Sequence, residues 1–290
     1  MATIFELIDA GDATGIRELL AREPGAAAAT DDQGLSAFMR ASYRGGDVFA
    51  AVREAAPPLG PFDRIVAGES DDLPAADDWT PDGFTPLHMA AFADNVEAAR
   101  KLLEAGADPN AVATASFARV TPLGTCAFTG ALGVAAVLLE NGSDPRIGED
   151  GEYTIEAEAI ARGNEQFARL IRDHLVRSFV GNAHGDLEYV GRELERTPTL
   201  ANCAWDWGDG DWEVPIGAAA HMGRRDIAAL LIEHGARVDI FAAAMLDDVE
   251  IVRAMLPLYG EEPRGPHGIP LRAHAEAGKA TRVLELLDAR

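Results

Sequence analysis

The stretch Asp82–Asn110 constrains the fold more than any other part of the chain. It reads Asp82-Gly-Phe-Thr-Pro-Leu-His-Met-Ala-Ala-Phe-Ala-Asp-Asn-Val-Glu-Ala-Ala-Arg-Lys-Leu-Leu-Glu-Ala-Gly-Ala-Asp-Pro-Asn110. Asp82-Gly83 is a turn signal. Thr85 suits an N-cap and Pro86 the first helical position, so a helix is expected from there. Leu87, Ala90 and Ala91 give that short helix one small apolar stripe. Val96, Ala99, Leu102 and Leu103 recur at helical spacing on a second helix, which Gly106 ends. A pair this short and this rich in alanine cannot bury its own apolar face. It needs a similar pair on each side.

The copies are present. Thr121-Pro122-Leu123 follows Thr85-Pro86-Leu87 after 36 residues, and Leu138-Leu139-Glu140-Asn141-Gly142 follows Leu102-Leu103-Glu104-Ala105-Gly106. Thr154 lies 33 residues after Thr121, and Gly163 lies 33 after Gly130. The pattern resembles the ankyrin repeat, whose period is about 33 residues and whose signature is Thr-Pro-Leu-His-x-Ala. Residues Thr85 to Ala90 match that signature at every specified position. The resemblance implies an all-α solenoid with short hairpin fingers between helix pairs.

Bulk properties agree. The chain has 290 residues, 48% hydrophobic but only 7% aromatic, so alanine and branched aliphatics must make a thin core between short helices. A net charge of −23 repels phosphates and argues against nucleic acid, while favouring a basic protein partner. Of two cysteines, Cys126 occupies an alanine slot of its repeat, which suits a buried thiol. The start, Met-Ala-Thr-Ile-Phe-Glu-Leu-Ile-Asp, is acidic where a signal peptide is basic. No apolar run reaches the roughly 18 residues a membrane span needs. The expected location is cytoplasmic.

Phe5–Leu20 reads as a truncated, cap-like first pair. Ser36 takes the Thr slot of the next repeat and Gly45 its mid-repeat Gly slot. Ser36 to Thr85 is 49 residues, about half a repeat too long. The excess, 57–81, is rich in Pro, Asp and Ala. Its composition predicts a loosely ordered loop, although Phe62-Asp-Arg-Ile-Val66 has the means to pack locally. A further unit opens at Asp150-Gly-Glu-Tyr-Thr154. Phe167–Val180 then runs helical without Gly or Pro, and a new cap-like start follows at Phe179. A seam is therefore expected near Val176. It separates an N-terminal array (1–176, with the 57–81 insertion) from a C-terminal array (177–290) stacked on it, about nine helix pairs in all.

In ankyrin arrays, partner contacts come mostly from the finger tips and from the two positions before the mid-repeat Gly. That resemblance points to Tyr43, Phe92 and Phe128 as an aromatic ladder in the first array, and to His184, His221 and Met222 in the second. Exposed aromatics in a row are good interface anchors. Packing on neighbouring fingers is the bland alternative.

The most unusual segment is Trp205-Asp-Trp-Gly-Asp-Gly-Asp-Trp-Glu213, which falls where a finger belongs. Its Gly-Asp-Gly centre turns tightly. Trp205 and Trp207 share one side of an extended strand and Asp206 takes the other. Either the tryptophans cover alanine-rich helices, or Trp205, Asp206, Trp207, Asp209, Trp212 and Glu213 form a binding wall beside His184 and His221. Those histidines sit on consecutive first helices about 8–10 Å apart, close enough to converge. With Asp206 foremost, or with Asp209, Asp211 or Glu213, they suggest an acid–base site or a two-His, one-carboxylate metal site. Neither has a signature spacing behind it, so no catalytic residue, metal or cofactor is assigned. His88 is the structural histidine of the ankyrin signature. His274 falls in an alanine slot and reads as a satisfied core residue, and His267 in the last finger faces either the concave side or solvent. No phosphate loop, nucleophile elbow, His-Glu-x-x-His or Cys-x-x-Cys is present. The leading expectation is a scaffold that binds a protein on its concave face. The second is a small-molecule binder or enzyme with its pocket in the C-terminal array.

Overall fold

A computed structural model describes residues 2–147, 155–259 and 261–289. The expected opening of a repeat at 150–154 lies outside them. The chain divides into two compact units, Met1–Ile171 and Arg172–Arg290.

Unit 1 is built from helix pairs in register with the sequence periods. They are α1 (Ile4–Ala10) with α2 (Ala13–Arg22), α3 (Ala37–Arg44) with α4 (Gly46–Glu54), and, after a lone α5 (Pro61–Ala67), α6 (Pro86–Ala93) with α7 (Val96–Glu104). Next come α8 (Pro122–Thr129) with α9 (Leu132–Glu140), then α10 (Ile155–Ala161) and the start of α11 (Glu165–Asn182). First helices pack on first helices in the order α1, α3, α5, α6, α8, α10. The caps are those the sequence calls for: Ser36 and Thr121 accept backbone bonds from Met39 and Gly124 at 2.9 and 3.1 Å. Leu87, Ala90 and Ala91 are fully buried.

The 57–81 insertion is not the loose loop its composition predicts. Helix α5 takes a first-helix place between α3 and α6, with Ile65 fully buried. Pro61 starts it at the position proline favours. Asp63 holds it to the previous repeat by accepting a 2.7 Å bond from the Ser36 hydroxyl. The Asn95 amide donates to the carbonyls of Ile65 and Glu69 at 3.0 and 2.8 Å, closing the end of α5. The extra half repeat in the spacing is thus a first helix whose second helix was never made. A count of Pro and Asp misses it because only four or five residues of the segment need to be apolar.

Helix α11 runs unbroken through Phe167–Val180, as the absence of Gly and Pro from that stretch predicts. In unit 2 its last turns pair with α12 (Leu187–Arg196), with Phe179, Ala183, Val190 and Leu194 fully buried together. A two-stranded hairpin follows, β1 (Trp205–Asp206) and β2 (Trp212–Glu213), then α13 (Pro215–His221) with α14 (Arg225–Glu233). The last pairs are α15 (Ile240–Leu246) with α16 (Val249–Met255), and α17 (Leu271–Ala277) with α18 (Thr281–Asp288). Runs of alanine (Ala218, Ala219, Ala220, then Ala242, Ala243, Ala244) are wholly buried and let these helices approach closely. Arg225 laces the approach, donating to the carbonyls of Met245 (2.9 Å) and Gly278 (3.0 Å). Among the described residues no helix is long and apolar enough to cross a membrane.

Candidate functional site

The tryptophan-rich finger is a tight hairpin. Gly208, Asp209 and Gly210 all take positive φ (128°, 55° and 84°). The amide of Trp207 donates to the Asp211 carbonyl at 3.0 Å, and Trp205 pairs with Glu213 across the strands. Side chains alternate along β2. Trp212 therefore stands 62% exposed and lines an open groove with Val214, Phe241 and Pro266, while Glu213 turns inward and is completely buried.

Three histidines meet that carboxylate. His184, in the turn after α11, places Nε2 3.6 Å from Glu213 Oε2. His221, the last residue of α13, places Nδ1 3.4 Å from Oε1. His267, in the turn before α17, places Nε2 3.6 Å from Oε2. The rings of His184 and His221 lie 4.8 Å apart, and those of His221 and His267 5.7 Å. Trp207 closes over the group. Its Nε1–H donates to Glu213 Oε2 at 2.7 Å, its ring lies against Gly181, and it sits 6.4 Å from the His267 ring.

The outer nitrogens are committed. His184 Nδ1 lies 2.9 Å from the Gly181 carbonyl, which can only accept, so that nitrogen carries the proton. His267 Nδ1 likewise donates to Asp211 at 2.7 Å, and the His267 amide donates to the same carboxylate at 2.8 Å. The amide bond to His267, with the imidazole beside it, holds Asp211 below the usual carboxylate range. Burial, with His184, His274 and His267 alongside, pushes His221 down to about 4. Glu213 Oε1 and His221 Nδ1 are buried without a hydrogen-bond partner. The four groups can hold a cation or exchange protons.

Several expectations change. The carboxylate between His184 and His221 is Glu213, not Asp206. The latter accepts from the Gly208 amide at 3.0 Å and serves the turn. Asp209 also belongs to the turn, in left-handed conformation. Trp205 is half-buried in β1, and the lid is Trp207 alone. Met222 is 54% exposed, next to the cluster in sequence but not part of it. His267 is the member that sequence reasoning left open between two faces. Only the pairing of its finger with Asp211 decides the matter, and nothing local in the sequence records it. His274 is buried as expected, but only half satisfied: Nδ1 bonds to the Pro270 carbonyl at 3.0 Å, and Nε2 has no partner.

In unit 1 the aromatic row is only partly a ladder. Tyr43 and Phe92 meet edge to face at 5.4 Å, both half-buried. Phe128 is 63% exposed, with the Arg162 guanidinium 4.3 Å over its ring.

Comparison with known families decides the identity of the repeat. Residues 82–114 match the Ankyrin repeat family model. The chain carries an ankyrin repeat. The ankyrin match includes His88, whose role the geometry explains. Its Nδ1 accepts from the Thr85 amide at 3.2 Å, and its Nε2–H reaches the Val120 carbonyl of the next repeat at 2.9 Å. No curated protein matches the chain.

Proposed function

We propose that this ankyrin-repeat chain is a cytoplasmic scaffold that binds a partner protein on the concave face of its first array. The observation that supports this reading most is the placing of Tyr43, Phe92 and Phe128 in one slot of three repeats, with Phe128 largely exposed. An exposed aromatic beside an arginine is the kind of anchor that dominates protein interfaces. The net charge of −23 favours a basic partner. Two free thiols suit a reducing compartment. The test is affinity capture with the full chain against Phe128→Ala. A defined set of captured proteins should be lost in the variant, while its unfolding midpoint stays within a degree or two. Identical capture by both proteins, or none by either, would sink the reading.

The cluster around Glu213 favours a second reading for unit 2, a small-molecule pocket with acid–base capacity. Here Glu213, rather than Asp206, would work with His184 and His221 beneath Trp207. Trp205 and Trp212 would then serve as walls of the finger.

A further inference from the structure

The histidine-to-Glu213 distances are long for hydrogen bonds and close to the spacing of ligands around one ion. Nitrogens at 3.4 and 3.6 Å from a carboxylate oxygen are at or beyond the limit of a useful hydrogen bond. One ligand atom from each of His184, Glu213, His221 and His267 lies within 4.8 Å of all the others. Ligands held at about 2.1 Å from a tetrahedral zinc ion stand roughly 3.4 Å apart, which the histidine-to-Glu213 pairs at 3.4 and 3.6 Å match, while the widest pairs in the group have to draw in as the ion binds.

Proton positions point the same way. His184 and His267 each spend Nδ1–H on an outside acceptor, Gly181 and Asp211. In the neutral rings both Nε2 lone pairs then face Glu213. The buried, unpartnered Nδ1 of His221 and Oε1 of Glu213 face the same space. Lone pairs and a carboxylate converging on one point repel unless a proton or a cation lies among them, and an ion can satisfy all four groups at once.

We propose that His184, Glu213, His221 and His267 are the ligands of a divalent transition ion of the zinc type. Three imidazoles select such an ion over magnesium or calcium, which take oxygen ligands. The outer contacts are those metal-binding histidines use: a carboxylate behind His267, a backbone carbonyl behind His184, and the Trp207 indole on the Glu213 oxygen. The side chains of His184 and His267 are 28% and 37% exposed, so the ion can enter from solvent, while Glu213 forms the buried floor. The ligands come from the turn after α11, from β2, from the end of α13 and from the turn before α17. One ion would therefore pin the finger to three repeats of unit 2. This goes beyond the protein-binding reading and does not depend on it. It also competes with the acid–base reading, because ligation consumes all three rings.

The test uses the tag-free full chain, stripped with EDTA and titrated calorimetrically with zinc, then with cobalt to read tetrahedral absorption. One ion per chain is expected, with no magnesium binding. His184→Ala and His267→Ala alter part-exposed side chains and leave the apolar core closed. Each should weaken zinc at least tenfold and abolish the cobalt spectrum. Asp211→Asn should weaken zinc by about 10–100-fold, as outer-sphere changes do. His234→Ala, whose ring caps the Leu230 carbonyl just past the end of α14, should bind as wild type does. Absence of saturable zinc binding by the wild-type chain would overturn the proposal and leave the acid–base reading standing. Wild-type affinity in folded His184→Ala and His267→Ala chains would overturn it too, by placing the ion elsewhere.

Discussion

The carboxylate of Asp247 accepts a 2.9 Å hydrogen bond from the backbone amide of Val283, one repeat further along the chain. Asp247 closes α15 in left-handed conformation, φ 65°, where most repeats of this chain use glycine. Val283 is in the first turn of α18, whose amides lack partners within the helix. Asp94 does the same in unit 1, with φ 50° and a 2.8 Å bond from the Val134 amide of α9. Both aspartates spend some backbone strain to supply a cap across repeats. Asn at 247 keeps the tolerance of positive φ and the acceptor. Gly keeps only the first, and Ala keeps neither. Unfolding midpoints should therefore fall in the order wild type, Asp247→Asn, Asp247→Gly, Asp247→Ala. The alanine variant should lose about 1–3 kcal/mol, from the cap and the left-handed cost together. An alanine variant as stable as the glycine variant would show that the backbone conformation costs nothing here.

Gly278 is required for a different reason. Its φ is −79°, which any residue adopts. A Cβ built there would stand 2.0 Å from the Met245 carbonyl oxygen and 2.8 Å from its Cα. The same carbonyl already accepts from Arg225, so it cannot move without breaking that contact. Gly278→Ala should destabilise unit 2 by at least about 1–3 kcal/mol, the usual cost of forcing a packed interior apart. Gly185→Ala is the control, since its Cβ would meet only the end of the Arg224 side chain at 3.6 Å. Equal melting temperatures for the two variants would refute the close-approach argument.

The repeat was legible because it is written locally. Thr85, Pro86 and Gly106 act on their own helix ends, and His88 on its own helix start as well as the next repeat, so spacing alone recovers them. The site was legible only in part. His184 and His221 occupy equivalent slots of successive repeats, and periodicity finds them. Glu213 was preferred to Asp206 by the hairpin register, which depends on where the Gly208–Gly210 turn closes. A one-residue slip would have exchanged the faces. His267 belongs to a finger 54 residues beyond Glu213, and its position follows from how Asp211 grips that turn. Helix α5 was hidden by a composition that suits loops, although the 49-residue interval already measured the half repeat it fills.

The two thiols should be silent in the folded chain. Cys126 is fully buried in its alanine slot, and burial pushes its thiol far up. Cys203 is half-buried and pushed up to about 12. The thiolate is the reactive form, so neither should react with a thiol reagent at pH 8 over minutes. Both should react at once in denaturant. Fast modification of one thiol in the native chain would mean that its repeat opens readily, and mass mapping would say which one.

His88 gives unit 1 a defined sensitivity to acid. The ring is completely buried, and burial pushes it down to about 4, the bond to the Val120 carbonyl offsetting only part of that. In the unfolded chain it titrates near its ordinary value of about 6.5. Above about pH 6.5 the ring is neutral in both states and pH has no effect through it. Between about 6.5 and 4 only the unfolded chain takes up the proton, so stability falls as pH falls. Below about 4 the folded ring is protonated too, and no further loss comes from this residue. The total is on the order of 3 kcal/mol. His221 shifts in the same direction, so the contribution of His88 has to be isolated by substitution. His88→Gln removes the titration along with the bonds to Thr85 and Val120. The variant should be clearly less stable than wild type at pH 7.5, and the gap should narrow steadily toward pH 4.5. Ring resonances in the wild-type chain should show His88 still neutral at pH 5. A folded chain whose His88 ring titrates near 6.5, or a stability gap that does not change with pH, would show that the signature histidine is not held neutral by the repeat around it.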